Sequence, residues 1–216
     1  MKRFVILVGL LLGLSSAFGQ SQVTVTNSFK SINAVIPDAS NIGLDDTRNV
    51  TLPGLGSITD LKVNLTVAGG FNGDLYCYLR HESGFVVLLN RPGRSAANDL
   101  GSEQPGMKVS FSQDAFRDIH TCQNSCPLNA AVAGEWAPDG RQADPRQCLQ
   151  NSPRNSSLAS FAGLNPNGKW TLFLADMNPG SQATLVEWSL VITATPRSFE
   201  HWPNHLPITL AAITPR

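Results

Sequence analysis

Residues 167–190 read NGKWTLFLADMNPGSQATLVEWSL, and this stretch decides the fold. In its first half, every second residue from Trp170 to Leu174 is large and apolar, which is the period of a β-strand with one buried face. The second half supplies Leu185 and Trp188, and the letters DMNPG between the halves are turn formers. The stretch therefore predicts a final hairpin of two apolar strands in an all-β domain that buries one face against a second layer.

The same alternation recurs upstream, most clearly from Leu61 to Val67 and from Leu75 to Leu79. Turn pairs such as Pro53-Gly54 separate these runs. Short strands with regular turns predict a jelly-roll β-sandwich of about eight or nine strands. The predicted strands cover residues 47–53, 58–68, 73–81, 84–90, 107–111, 158–162, 169–176 and 184–194.

The N-terminus has the three parts of a secretory signal peptide: a basic start at Lys2 and Arg3, an apolar run, and small residues near Gly19 for cleavage. We therefore expect a secreted, extracellular protein, or a periplasmic or cell-surface one. The polar segment after the signal is either a leader or a first edge strand. The predicted divisions are a signal peptide (1–19), a leader (20–33), a β-sandwich (34–195) with an insert at about 117–156, and a Pro-rich C-terminal tail (196–216) that is either disordered or adds an edge strand.

Cysteine use fits export. Four cysteines follow the signal, and an even number in an exported chain suggests two disulfides, for which three pairings exist. Cys122 with Cys126 is favoured because the short loop closes easily, and Cys77 with Cys148 would then tie the insert to a strand. A zinc site is the weaker alternative, because the spacing lacks a regular ligand pattern.

The balance of charges argues against nucleic acid as a partner. Lys plus Arg number 16, as do Asp plus Glu, so the formal net charge is zero and no basic run is present. A neutral chain of this kind has no electrostatic footprint for nucleic acid. After the signal, no apolar run approaches the about 20 residues that span a bilayer, so we expect no membrane insertion once the signal is removed.

The pattern N-G-x-W-x-L-x-x-x-D, a short turn, and then L-x-x-W-x-L resembles the end of the P domain (P/Homo B domain) of kexin- and furin-type proprotein convertases. Other blocks resemble that family in the same order along residues 34–195. They are IPD (36–38), GSITDLKVNLTV (56–67), FNGDLYCYL (71–79), SG with VVLL (83–84 and 86–89), GEWAP (134–138) and LASFAG (158–163).

The resemblance implies a galactose-binding-like jelly roll that packs on a subtilisin-like serine endopeptidase and stabilises it. A subtilisin-like catalytic domain needs several hundred residues with Asp, His and Ser in separate motifs, for which this chain has no room. None of its histidines lies in a catalytic motif, and it has no G-x-S-x-G elbow. We therefore expect a non-catalytic structural, stabilising or interaction module, partnered by such a protease in trans or by another extracellular protein.

Calcium is the cofactor that the resemblance implies, since some members of that family bind it and hard cations prefer oxygen ligands. Asp74 and Asp176 stand in the two best-matched motifs, and Asp114 ends an FSQD run that resembles the family's acidic loop. These three are the expected ligands. The alternative is that Asp74 and Asp176 cap turns. Gly180 is followed by Ser-Gln-Ala where the family often has Asp-x-Gly, so one carboxylate is missing.

Aromatic residues supply the alternative function, an extracellular carbohydrate-binding or adhesion module. Trp170 and Trp188 alternate with polar residues in predicted strands, which favours a core position. Trp136 and Trp202 lie in irregular segments, so we expect them to be exposed and available to stack on a ligand.

Overall fold

The computed structural model describes residues 21–197. The expected signal peptide, nearly all of the expected tail, and Trp202 lie outside the described residues. The strands are β1 (Val23–Phe29), β2 (Ala34–Val35), β3 (Ser40–Val50), β4 (Leu55–Gly69), β5 (Leu75–His81), β6 (Gly84–Asn90), β7 (Met107–Phe111), β8 (Val132–Trp136), β9 (Gly168–Asp176) and β10 (Ala183–Pro196), with short 3-10 helices at Asn72–Asp74, Ile119–Asn124 and Leu158–Phe161.

Two sheets form the molecule, which confirms the predicted all-β sandwich. The larger sheet has the strand order β1-β10-β4-β7-β8, with β2 pairing to the start of β10, and the smaller has the order β3-β9-β5-β6. All pairs are antiparallel except β7 with β8. No helix in residues 21–197 is long and apolar enough to cross a membrane.

The expected final hairpin is wrong, because its two strands lie in different sheets. Strand β9 pairs with β3 and β5, whereas β10 pairs with β1 and β4. Each strand has a row of large apolar residues on one face. That face is buried because each strand lies in its own sheet and turns its apolar face towards the other sheet. Trp170 on β9 and Trp188 on β10 belong to the same buried cluster.

Each of these tryptophans also satisfies its indole N–H. Trp170 donates from Nε1 to the carbonyl of Pro166 at 3.0 Å and stacks on the His81 ring, with centroids 4.0 Å apart. Trp188 donates to the Asp46 carboxylate and packs beside Phe29, with centroids 4.5 Å apart. Buried indoles with a partner for the polar atom combine a large apolar contact with no orphaned donor.

Three segments differ from the sequence-based expectation. Residues 158–162 were expected to form a strand, but Leu158–Phe161 form a 3-10 helix. Its buried residues, Leu158 and Phe161, are three positions apart, which is the period of that helix. Strand β8 lies inside the expected insert. Its pattern was hidden because only Val132 and Trp136 of its five residues are buried. Residues 20–33 were expected to be either a leader or a first edge strand. They contain the edge strand β1, which pairs with β10 along its length.

Neither expected disulfide is present, because all four cysteines are free thiols. Cys77 faces the hydrophobic core, whereas Cys148 lies in the insert beside His120 and Asp139. Cys126 lies near enough to Cys122 for its charge to act on it. Burial, together with that charge, raises the pKa of Cys122 to about 11. A disulfide between Cys122 and Cys126 in the oxidised protein stays a prediction.

Replacing Trp170 by alanine should cost about 3–5 kcal/mol of the free energy of unfolding, because it removes a fully buried ring from between the sheets. Urea denaturation followed by circular dichroism measures this. Phe116→Ala is the matched control: Phe116 is 94% exposed, so its loss should change stability by less than about 0.5 kcal/mol. Equal effects of the two substitutions would contradict the packing described above.

Candidate metal centre

Asp176 ends the central strand β9, at the point where the chain leaves one sheet for the other. The register pairs it with Ser40 of β3 on one side and Leu75 of β5 on the other. The side chain is fully buried, and neither carboxylate oxygen has a hydrogen-bond partner of good geometry, although the Asn178 backbone N–H is near enough to offset part of the rise that burial causes in the pKa of Asp176. An orphaned buried carboxylate is costly unless a proton or a cation neutralises it.

Asp74 lies beside it, at the end of the short 3-10 helix Asn72–Asp74. Its Oδ1 accepts a hydrogen bond from the Asn178 amide at 2.8 Å and lies 3.6 Å from the Arg91 guanidinium. The Asp74 carbonyl accepts from the Met177 N–H at 2.8 Å. The turn after β9 is therefore tied directly to the residue that opens β5.

Asp38 approaches the pair from the turn between β2 and β3, although the oxygens of the three aspartates do not all lie within 4.8 Å of one another. Its Oδ2 accepts a hydrogen bond from the Gly180 N–H at 3.3 Å, and its charge acts on both other aspartates. Three carboxylates and the Arg91 guanidinium leave a net charge of minus two when all are ionised, which a divalent cation would balance. Oxygen donors from turns at one end of a sandwich are the ligand type that calcium prefers.

Electrostatics reflect this crowding. Burial is the largest cause that raises the pKa of Asp176, followed by the Asp74 charge, and together they bring it to about 7. Burial likewise raises the pKa of Asp74, against the Asn178 amide and Arg91, which lower it. Without a cation, the site therefore holds a proton more readily than an ordinary carboxylate does.

Two of the three expected calcium ligands thus come together, and Asp114 does not. Strand β7 pairs Met107 with Val67 and Phe111 with Val63, so the chain runs away from the Asp176 end of the sandwich before it reaches Asp114. The sequence did not show that Asp38, Asn178 and Arg91 would join the group. Asp38 stands in the IPD motif and Asn178 in the DMNPG turn, but neither motif tells where its turn folds.

The expectation that Trp136 is exposed is wrong. Its side chain is fully buried, its Nε1 donates to the Ala133 carbonyl at 3.0 Å, and the Arg117 guanidinium covers its ring at 4.0 Å from the centroid. The irregular sequence around it concealed the edge strand β8, which turns this indole inward. Trp136 is therefore unavailable for ligand stacking.

A tighter group of potential metal ligands lies in the insert, where atoms of His120, Asp139 and Cys148 are within 4.8 Å of one another. These groups are already partnered. His120 Nδ1 bonds the Asp139 carboxylate at 2.8 Å, its Nε2 contacts the Arg94 carbonyl at 2.9 Å, and Asp139 pairs with Arg141 at 3.1 Å. Burial raises the pKa of the Cys148 thiol to about 11, so it is a poor nucleophile and ligand. This cluster anchors the insert.

Comparisons with known proteins are sparse. No protein-family model matches the chain, and no curated protein matches it. One similar solved structure is the complex of the Aeromonas sobria serine protease with its chaperone (ORF2), at a TM-score of 0.44 and 15% identity over 81% of this chain. The serine protease of Aeromonas sobria is another, at a TM-score of 0.44 and 14% identity over 81% of this chain. This chain spans 27% of each of those chains, and likeness at this level identifies no family.

In calcium-free buffer, the free energy of unfolding should fall as pH rises from about 4 to about 7. Folding raises the pKa of Asp176 from 3.8 to about 7, so across this window the folded protein binds more protons than the unfolded chain. Calorimetric melting in chelator at a series of pH values measures this slope. Asp176→Asn should flatten it, whereas Asp45→Asn, which changes an exposed carboxylate on β3, should not. A wild type and Asp176→Asn that differ by a constant at every pH would refute this assignment.

Proposed function

We propose that this chain is an exported, non-catalytic β-sandwich module that binds one calcium ion at Asp74 and Asp176 and works through contact with another protein. The observation that carries the calcium proposal is the buried Asp176 carboxylate, whose two oxygens have no hydrogen-bond partner. Asp74 and Asp38 would complete the anionic group, and the Asn178 side chain offers a further oxygen if its amide turns. A cation there would neutralise like charges and link the turns between β2 and β3, before β5, and after β9.

The two sheets explain why such an ion would matter to the module. The turn of residues 177–182 carries the chain from the centre of one sheet to the centre of the other. This turn is held by the Met177 N–H on the Asp74 carbonyl and by the Gly180 N–H on Asp38. Neutralising both aspartates would stabilise this turn between the two sheets, which is a structural and not a catalytic role for the ion.

Calcium should raise the melting temperature of the wild type and bind once per chain by isothermal titration calorimetry. An ion that binds only the folded state stabilises it by about 2.7 kcal/mol at a hundredfold excess over Kd. Asp176→Asn and Asp74→Asn should abolish binding, since each removes a carboxylate of the buried pair. Asp114→Asn is the matched control and should bind as the wild type does. Unchanged calcium binding by Asp176→Asn would contradict the assignment of the site to Asp74 and Asp176.

The partner proposal rests on the resemblance to convertase P domains. In its favour, the residues that carry this resemblance occupy central positions: Trp170 and Trp188 fill the interior, and Asp74 and Asp176 meet at one end. In that family the domain packs on a subtilisin-like serine endopeptidase and stabilises it. We propose the same relation in trans for this chain, with a protease made by the same exporting cell.

The protein should lengthen the thermal half-life of a subtilisin-like protease from the same cell that lacks its own C-terminal sandwich. The two should co-elute in size-exclusion chromatography, and the chain alone should not cleave a broad peptide panel. A protease whose half-life and elution volume are unaffected would rule out this partner, and turnover of peptides by the chain alone would rule out the non-catalytic role. Either result leaves the calcium proposal to its own test.

A further inference from the structure

An aromatic strip covers part of the outer face of the smaller sheet, on the side turned away from the core. Tyr78 and Phe173 stack with centroids 4.8 Å apart, and Tyr76 meets Phe173 at 6.2 Å. Phe85 extends the strip from the edge strand β6, 5.3 Å from Tyr78. All four rings are half-buried, so part of each ring stays open to solvent.

Tyr76, Tyr78 and Phe173 of this strip line a groove of about 380 Å³, and the insert builds its wall. The wall is residues 144–146, Asp-Pro-Arg. Asn90 of β6 fixes the insert by donating its side-chain amide to the carbonyls of Arg141 and Ala143, both at 2.9 Å. Arg94 donates to the carbonyls of Pro145 and Arg146 at 3.2 and 2.6 Å. The groove is therefore held open by the folded insert before any ligand arrives.

Polar groups stand at the rim of the groove. The exposed side chains of Asn41, Asp144 and Arg146 line it together with the rings. They offer an amide, a carboxylate and a guanidinium, which are donors and acceptors whose charges cancel. A rim without net charge does not select an acidic or a basic ligand, but it fits a neutral ligand with many hydroxyl groups.

Burial raises the pKa of Tyr76 to about 12 and also raises that of Tyr78. Both phenols therefore stay protonated near neutral pH and can donate a hydrogen bond. A sugar ring has an apolar C–H face that stacks on aromatic rings and an edge of hydroxyls that needs donors and acceptors. Ligand sites with this balance are mostly apolar concave surfaces of roughly 300–1,000 Å³ with a few polar groups.

We infer that this groove binds one or two sugar units of a neutral glycan chain, with Tyr76, Tyr78 and Phe173 as its apolar wall and Asn41, Asp144 and Arg146 as hydroxyl partners. Tyr78 and Phe173 stack on each other with their planes 16° apart, and Tyr76 meets Phe173 at 66°, so the rings form an angled apolar wall rather than a deep hole. Its small volume suits a few sugar units, whereas a stable protein partner needs about 800 Å² on each side. The inference goes beyond the proposed function and does not depend on calcium.

Isothermal titration calorimetry with cellohexaose, xylohexaose and chitohexaose as probes tests the groove on the chain without its signal segment. We expect at least one probe to bind the wild type. Tyr78→Thr, which keeps a residue suited to a strand, should weaken that binding about tenfold, as should Arg146→Ala. Phe116→Ala, which removes a 94% exposed aromatic outside the groove, should bind as the wild type does.

The outcomes are separable from those of the other proposals. Asp176→Asn should keep the glycan affinity, with or without added calcium. If Tyr78→Thr does not fold by circular dichroism, Arg146→Ala decides alone, because its side chain is exposed. The inference is overturned if none of the three probes binds, or if Arg146→Ala and a folded Tyr78→Thr both bind as the wild type does. Capture of a protein through Tyr78, with no oligosaccharide bound, overturns it in favour of protein docking.

Discussion

The structure depends on the packing of the two sheets against each other, with β9 in the smaller sheet and β10 in the larger one. Each is a central strand of its own sheet, so each is held by neighbours on both sides and has one face left for the other layer. Trp170 and Trp188 lie in the buried cluster between the sheets, and their indole N–H groups donate to the Pro166 carbonyl and the Asp46 carboxylate. Because the two strands follow each other in the chain, the six residues 177–182 must carry the backbone over the full thickness between two sheets, about 10 Å.

That crossing creates the electrostatic problem at the end of the sandwich. The last residue of β9 is Asp176, and the neighbouring strands β3 and β5 pair with it on its two sides. An apolar residue there would pack without cost, so the aspartates at positions 74 and 176 conflict with the local demand for stability. Sites of this kind, where sequence and burial disagree, are where functional groups are expected. The partnered cluster at His120 shows the opposite case, in which every buried polar group has a neighbour and the role is architectural.

Sequence periodicity was sufficient for the strands whose buried residues alternate over several turns of the pattern, such as β4 with its row from Leu61 to Val67. It did not show which strands pair, because alternation defines a buried face and not the layer that covers it. β8 was missed because a strand that buries only its two end residues looks like a loop. Half of the candidate metal centre could be predicted, because Asp74 and Asp176 stand in motifs. Their proximity to Asp38 depends on long-range register, which single-sequence reasoning does not supply.

The position of β10 sets the order in which the domain can assemble. This strand is the last of the described chain, yet it lies between β1 and β4, and the register joins Val23 to Ala194. The larger sheet therefore cannot join β1 to β4 until β10 has been synthesised. Until then, β1 has no strand to pair with. Contacts so distant along the chain make folding slow. The strand order itself therefore delays closure of the larger sheet until β10, the last described strand, has been made.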